Sequence, residues 1–381
     1  MKMTNKALLP LLAVSAVAGL TGCKEDAKPE AAEATKVTLE QGHEYMVVSN
    51  RPSQMHVIDL ESEALIKSCD VPGDFGPGTL QIAPDHVTAY MLTDHYEKIY
   101  AVNLDSCDVV FSADMSQAPD ERAKTLYSMA LSPDGKELYT IQTPTKLYAD
   151  HYEAMEPRLA VYDTASGKDA KPVRTFEVPR QISVMQVADD GTLYMAGADI
   201  YKMDVTSGKV DVAIPSRNWE RPLYAPPDVL NVWPIQTPQN EFTILYSTAK
   251  FTDETYDMNT ATWLWGYFNV DLETGETETR DFAEFTEIYF TGMRSPADPN
   301  IMFGVLNHLA KYDIKEQKLV KSADLEHSYY TVAMNHAGSK VYLGGTFNDV
   351  AVYDAETLEK TNDIPLPGGD ISPSTAQVFI R

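Results

Sequence analysis

The sequence predicts an all-β protein, a seven-bladed β-propeller of four-stranded blades closed by its C-terminal strand. Three observations predict it. A turn pattern recurs seven times, the recurrences are spaced by about one blade length, and a lone strand stands at each end of the series.

The recurring unit is an apolar strand ending in Asp or Asn, followed by a polar turn and a second strand. Its copies are Val57-Ile58-Asp59, Ala101-Val102-Asn103, Val161-Tyr162-Asp163, Lys202-Met203-Asp204, Asn269-Val270-Asp271, Lys311-Tyr312-Asp313 and Val352-Tyr353-Asp354. Three continue into glycine pairs, at Ser166-Gly167, Ser207-Gly208 and Thr274-Gly275. Asp and Asn bond their own backbone two residues on, and glycine takes a positive φ without steric cost. The intervals between successive copies are 44, 60, 41, 67, 42 and 41 residues. A blade of four strands needs about 40 residues, so the two long intervals predict insertions within blades three and five.

A second turn is predicted to join an inner strand to the next strand out. Ser132-Pro133-Asp134-Gly135-Lys136 is its clearest copy. Ala83-Pro84-Asp85-His86, Asp189-Asp190-Gly191 and Asn335-His336-Ala337-Gly338 are weaker ones. Strands rich in β-branched and aromatic residues follow, such as Leu138-Tyr139-Thr140-Ile141. One short helix is predicted near Pro119 to Lys124. Blade one opens near Tyr45 with what reads as a second strand. Ser374 to Arg381 reads as an inner strand lacking partners. The C-terminal strand therefore completes blade one, which removes open sheet edges.

The domain plan follows. Residues 1–22 read as a signal peptide, 23–40 as a flexible tether and 41–381 as the propeller. Lys2 and Lys6 precede a short apolar run, Ala7 to Leu20, too short for a permanent membrane span. Leu20-Thr21-Gly22-Cys23 resembles the lipobox of bacterial lipoproteins, which implies lipidation at Cys23. Lys24 after the cysteine points to the outer membrane, so the expected location is the periplasm, lipid-anchored. Lys24 to Lys36, rich in Ala, Glu, Lys and Pro, reads as a solvated tether.

The chain carries a formal charge of −25, and removal of Lys2 and Lys6 takes it to −27. That argues against nucleic acid and against adsorption to anionic lipid, and suits a basic redox partner or simple solubility. Besides Cys23, only Cys69 and Cys107 remain. In an oxidising compartment they are expected to pair and to tie neighbouring blades at their outer edges; two separate buried thiols are the alternative.

No CxxCH, HExxH, GxSxG or P-loop motif occurs. A covalent c-type haem is therefore not expected on this chain, and neither is a metal site. Asp94-His95-Tyr96-Glu97 and Asp150-His151-Tyr152-Glu153 repeat between the second and third strands of adjacent blades. They read as polar loop residues, with a shared metal as the sharper alternative. The unusual aromatic and Pro-rich segments fall between blades. They are Pro179-Arg180-Gln181-Ile182, the stretch Asn218 to Trp233, and His327-Ser328-Tyr329-Tyr330. These connections emerge on the face opposite the Asp-Gly turns. Tyr, Trp and Arg are the residue types that anchor interfaces, although either Trp219 or Trp233 alone could equally fill space between sheets.

In order and spacing these segments resemble the β subunit of quinohemoprotein amine dehydrogenase. The resemblance runs from Arg51-Pro52 to the C-terminus and includes Pro119-Asp120-Glu121-Arg122, His151-Tyr152-Glu153, Trp219-Glu220, Pro227-Asp228-Val229-Leu230 and Val232-Trp233. It implies a heterotrimer with a dihaem cytochrome c subunit and a small subunit carrying cysteine tryptophylquinone. The complex oxidises a primary amine to an aldehyde and ammonia. The propeller would hold the small subunit and wall the substrate cavity, with Trp219, Tyr224, Asp228, Trp233, Tyr329 and Tyr330 as candidate wall residues. A lipid anchor departs from the family's soluble complex. A stand-alone lipoprotein propeller that binds a partner, and the heavy chain of a tryptophan-tryptophylquinone amine dehydrogenase, are the competing readings.

Overall fold

The computed structural model describes residues 37–74, 78–230, 238–372 and 375–381. The predicted signal peptide, Cys23, most of the predicted tether and Trp233 lie outside them.

The described residues form seven antiparallel sheets in a ring, a seven-bladed β-propeller. Blade one contains β1 (Glu44–Asn50), β2 (Gln54–Asp59) and β3 (Ala64–Asp70). Blade two is β4 (Leu80–Ile82), β5 (Thr88–Thr93), β6 (Lys98–Asn103) and β7 (Val109–Asp114). β8 (Glu121–Lys124) precedes blade three, which is β9 (Met129–Leu131), β10 (Glu137–Leu147), β12 (Arg158–Asp163) and β13 (Arg174–Glu177), with β11 (Tyr152–Ala154) inserted. Blade four is β14 (Val184–Val187), β15 (Leu193–Ala196), β16 (Ile200–Asp204) and β17 (Lys209–Ile214). Blade five is β18 (Asp228–Leu230), β19 (Glu241–Lys250), β20 (Thr262–Asp271) and β21 (Thr277–Glu284). Blade six is β22 (Tyr289–Arg294), β23 (Ile301–Leu306), β24 (His308–Asp313) and β25 (Lys318–Asp324). Blade seven is β26 (Tyr329–Met334), β27 (Lys340–Gly345), β28 (Asp349–Asp354) and β29 (Lys360–Pro365). β30 (Ala376–Ile380) returns to blade one.

The predicted closure holds: blade one has the order β3-β2-β1-β30, with Tyr45 opposite Phe379. The join is reinforced at its lower end. Gly42 donates to the Arg381 carbonyl, the Arg381 amide donates to His43, and the Arg381 guanidinium reaches Asp105 of blade two at 2.8 Å.

All seven recurring turns join third to fourth strands, and all are built alike. The side-chain oxygen of Asp59, Asn103, Asp163, Asp204, Asp271, Asp313 or Asp354 accepts from a backbone amide two or three residues on, at 2.8–3.0 Å. The fifth residue of each turn has a positive φ. It is glycine at 167, 208 and 275, but Glu63, Cys107, Gln317 and Leu358 take the same conformation. Glycine is required sterically at 208, where an added Cβ would stand 2.5 Å from the Phe176 ring.

Successive strand side chains point to opposite sheet faces, so each blade feeds two interfaces. In β5, Ala89 and Met91 pack toward blade one, while Tyr90 and Leu92 pack toward blade three. The core is accordingly seven apolar clusters, one between each pair of adjacent blades. Between blades one and two, Cys69 of β3 is joined to Cys107 in the β6–β7 turn by a disulfide, Cα to Cα 5.2 Å.

Two expectations are corrected. The segment predicted as a helix near Pro119 to Lys124 is strand β8, paired with Thr143–Lys146 of β10. That pairing buries Ala123 completely, and tertiary burial overrides local propensity. The extra residues of the two long intervals also lie only partly within blades. Blade three's divide between the connection carrying β8 and the extension of β10 with β11. Blade five's divide between residues 215–227 and the lengthened β19–β20 hairpin.

Candidate functional site

Strand direction gives the ring two unlike faces. First-to-second and third-to-fourth strand turns emerge below, and most of them are short, the connections at 164–173 in blade three and 231–240 in blade five being longer. Second-to-third strand loops and inter-blade connections emerge above, where the insertions collect. Every exposed aromatic and methionine side chain among the described residues is on this upper side or its projecting hairpins. Tyr148, Tyr152 and Met155 are on blade three, Tyr256, Met258 and Trp263 on blade five, and Phe347 on blade seven. Leu126 and Ile288, in upper connections, add to them. Exposed aliphatic side chains are not so confined: Val110, Val212, Leu319 and Val320 stand on outer strands.

Trp219 and Tyr224, from the connection between blades four and five, build one corner of this face. Trp219 packs edge-on against Tyr246 and Phe268, with ring centroids 5.2 and 6.1 Å away, and its indole N–H donates to the Ala225 carbonyl at 3.0 Å. The Arg221 guanidinium lies 3.8 Å from the Tyr224 ring centroid and 4.7 Å from that of Trp219. It grips both oxygens of Asp281, at 2.6 and 3.0 Å, while the Tyr246 hydroxyl donates to Asp281 at 2.7 Å. Burial would raise the Asp281 carboxyl, but bonds from Arg221 and Tyr246 outweigh it and hold it below the usual carboxylate range. Burial, joined by the Asp281 charge, pushes the Tyr246 hydroxyl far up. Trp219 is thus half-buried filler with a fixed edge. Tyr224 opens onto an outer cavity of about 520 Å3 shared with Lys250, Asp281 and Glu284.

Asp228 is exposed and lines a larger cavity of about 790 Å3. Here the structure brings together segments far apart in sequence: Leu126, Gln181-Ile182, Arg217 and Pro226-Pro227-Asp228. Tyr329 and Tyr330 sit two blades away. Tyr329 is fully buried, its hydroxyl 3.2 Å from Asp349 and its ring 4.1 Å from that of His327. Burial first, then Asp349, pushes its hydroxyl far up. Tyr330 is half-buried and stacks on Phe290 at 5.5 Å.

The repeated Asp-His-Tyr-Glu segments occupy corresponding loops, as expected, but are spent on local contacts. Glu97 pairs with Arg122, Asp94 with Lys98 at 3.1 Å, and His151 stacks on Tyr148 at 4.4 Å. Among the described residues no group of three or more His, Cys, Asp or Glu is arranged to hold a metal. Sequence reasoning missed Leu126, Tyr148, Met258 and Trp263. The two long intervals were the available signal, since all four fall in inserted segments.

Fold and site together define a β-propeller with one regular face and one elaborated, apolar face. No protein-family model matches the chain, and no curated protein matches it. Solved structures similar to it share the propeller architecture. Hydrazine synthase of Kuenenia stuttgartiensis is 13% identical, with 87% of this chain and 100% of that one covered and a TM-score of 0.55. The dihydro-heme d1 dehydrogenase NirN in complex with DHE is 12% identical over 91% of this chain and 77% of that one, TM-score 0.53. Apo AztD from Citrobacter koseri is 9% identical over 88% and 98%, TM-score 0.51. At such identity the likeness is one of fold.

Proposed function

We propose that this chain is a non-catalytic scaffold subunit whose upper face holds a partner protein. Its reaction context would be a periplasmic quinohemoprotein amine dehydrogenase, with the chain anchored through lipidated Cys23. The observation that carries the scaffold reading is the segregation of every described exposed aromatic and methionine side chain to one side of the ring. The reaction context rests on the sequence resemblance alone. In it, the small quinone-bearing subunit sits on the upper face beside Tyr224 and Asp228, and the dihaem cytochrome completes the heterotrimer. The catalytic base and both cofactors belong to those partners. This chain's contribution is a rigid surface: Arg221, locked between Asp281 and two rings, holds that surface in one geometry.

The native complex tests it. The chain, tagged at its own locus and extracted with mild detergent, is expected to bring down a haem-bearing subunit and a small quinone-bearing one. Amine addition should then reduce the haem spectrum. A chain that runs alone, without haem absorbance or amine-dependent dye reduction, overturns the enzyme-subunit reading. A second reading, a stand-alone binding propeller, is favoured by the 790 Å3 cavity, where polar and apolar side chains from three blades converge.

A further inference from the structure

We infer that the open edge of β11 is a docking slot for an extended, lysine- or arginine-bearing segment of a partner protein. The inference rests on the docking-face reading and gives one part of that face a chemistry.

The upper half of β10 leaves blade three and makes a small sheet of its own, in the order β8-β10-β11. One side of this sheet is closed. The Ala123 amide of β8 donates to Ser116 at 3.2 Å, and the adjoining Thr125 amide to the Tyr96 carbonyl at 3.0 Å. The other side is open. All three β11 residues are exposed, Tyr152 at 77%. The Met155 amide donates inward to Pro144, and the His151 carbonyl accepts inward from Tyr148, each at 3.0 Å. Antiparallel pairing alternates inward and outward groups, so the amides and carbonyls of Tyr152 and Ala154 point out.

This edge is braced from within and carries no bulge. The Tyr148 ring stacks on His151, and its hydroxyl donates to Glu153 at 2.9 Å. Every blade also has an outer strand, but in the other six blades the outer pairing carries a register shift, and the edge of β7 is further covered where Ser112 bonds Gly167 and Ala170 through the backbone. Bulges twist such edges away from association. Neither β10–β11 nor β12–β13 has one. A groove of about 630 Å3 runs beside β11 toward the end of β13, lined by Met155, Pro157, Phe176 and three carboxylates, Glu153, Glu156 and Glu177. Arg158, the one cation in that lining, is already bound to Glu121 at 2.6 and 3.2 Å, and Arg180 beside the groove pairs with Glu156 at 2.9 Å, so Glu153 and Glu177 are the carboxylates the rim offers. The slot is therefore a missing strand position with an acidic rim on a chain of charge −25. An incoming strand would take the main-chain bonds of Tyr152 and Ala154 and set its cations among the glutamates.

The probe is a short acetylated peptide of alternating lysine and valine, fluorescently labelled, added to the purified chain. Its glutamate–valine counterpart is the control. Binding read by anisotropy should be confined to the lysine peptide and fall with salt. Hydrogen exchange should slow over residues 148–156 and not elsewhere. A154P removes an outward amide while leaving the β10 bonds, and should weaken binding at least about tenfold. E177K, on exposed β13, should do the same without touching β11, and keeps the test decisive where A154P disturbs the hairpin. Equal binding of both peptides, binding indifferent to both substitutions, protection on another blade, or dimerisation of the chain through this edge would each overturn the inference. Because the chain is tested alone, this result is separate from the co-purification result above.

Discussion

His56 shows how one buried side chain can set the pH response of a blade. It is fully buried on β2, its Nε2–H donating to Asn50 and its Nδ1 accepting from the Ser68 hydroxyl, both at 2.8 Å. Asn50 in turn donates to the Pro367 and Gly369 carbonyls, which fixes that tautomer. Burial lowers the imidazole from 6.5 to about 4, against a small opposing pull from Asp70. The folded protein thus binds fewer protons than the unfolded chain between those values, so its stability is full above pH 6.5 and falls as the pH drops toward 4. The loss amounts to about 3 kcal/mol from this group. Urea midpoints should decline between pH 7 and 4.5, and H56Q should flatten that decline while lowering stability at pH 7. An unchanged slope in H56Q would remove His56 as the cause. At the turns, G208A meets both a positive φ and the Phe176 ring. It should destabilise clearly more than G191A, whose added Cβ meets nothing within 4 Å and which loses only about 1 kcal/mol.

Among the elements, the connection between blades four and five and the β10–β11 hairpin give the upper face its character. W219A removes a ring packed on Tyr246 and Phe268, and should lower stability by about 3 kcal/mol. The loss should appear in thermal unfolding and should also loosen Arg221, seen as faster exchange over residues 217–225. If the docking face includes this corner, W219A also weakens partner retention on a column, whereas the exposed Tyr256→Ala acts on retention without changing the melting temperature. Retention unchanged in both variants would move the docking face away from blade five.

For the whole molecule, stability is a property of the closed ring. Removing residues 376–381 strips β30 from blade one, together with the Arg381–Asp105 pair. It should yield a species that is protease-sensitive at blade one and more prone to association than the full chain, as size exclusion and limited proteolysis would show. The Cys69–Cys107 bond spans 38 residues and ties blades one and two. Its loss in the double serine variant should cost about 3 kcal/mol, with unfolding starting at that seam.

Seven turns and two lone terminal strands sufficed, in the sequence, to determine the blade count, the closure and the separation of a regular face from an irregular one. These features are local or periodic: an Asp bonds its own neighbours, and strands must find partners. Glycine marked only three of the seven positive-φ positions. Glu63, Cys107, Gln317 and Leu358 take the same conformation because the surrounding turn fixes it. Tertiary structure alone decided the rest. It drew Glu121–Lys124 into a strand because a partner lay waiting on β10, and it buried Tyr329 while leaving Tyr152 exposed. Both residues sit in similar aromatic segments, and only the neighbours that arrive from other blades distinguish a core ring from a surface one.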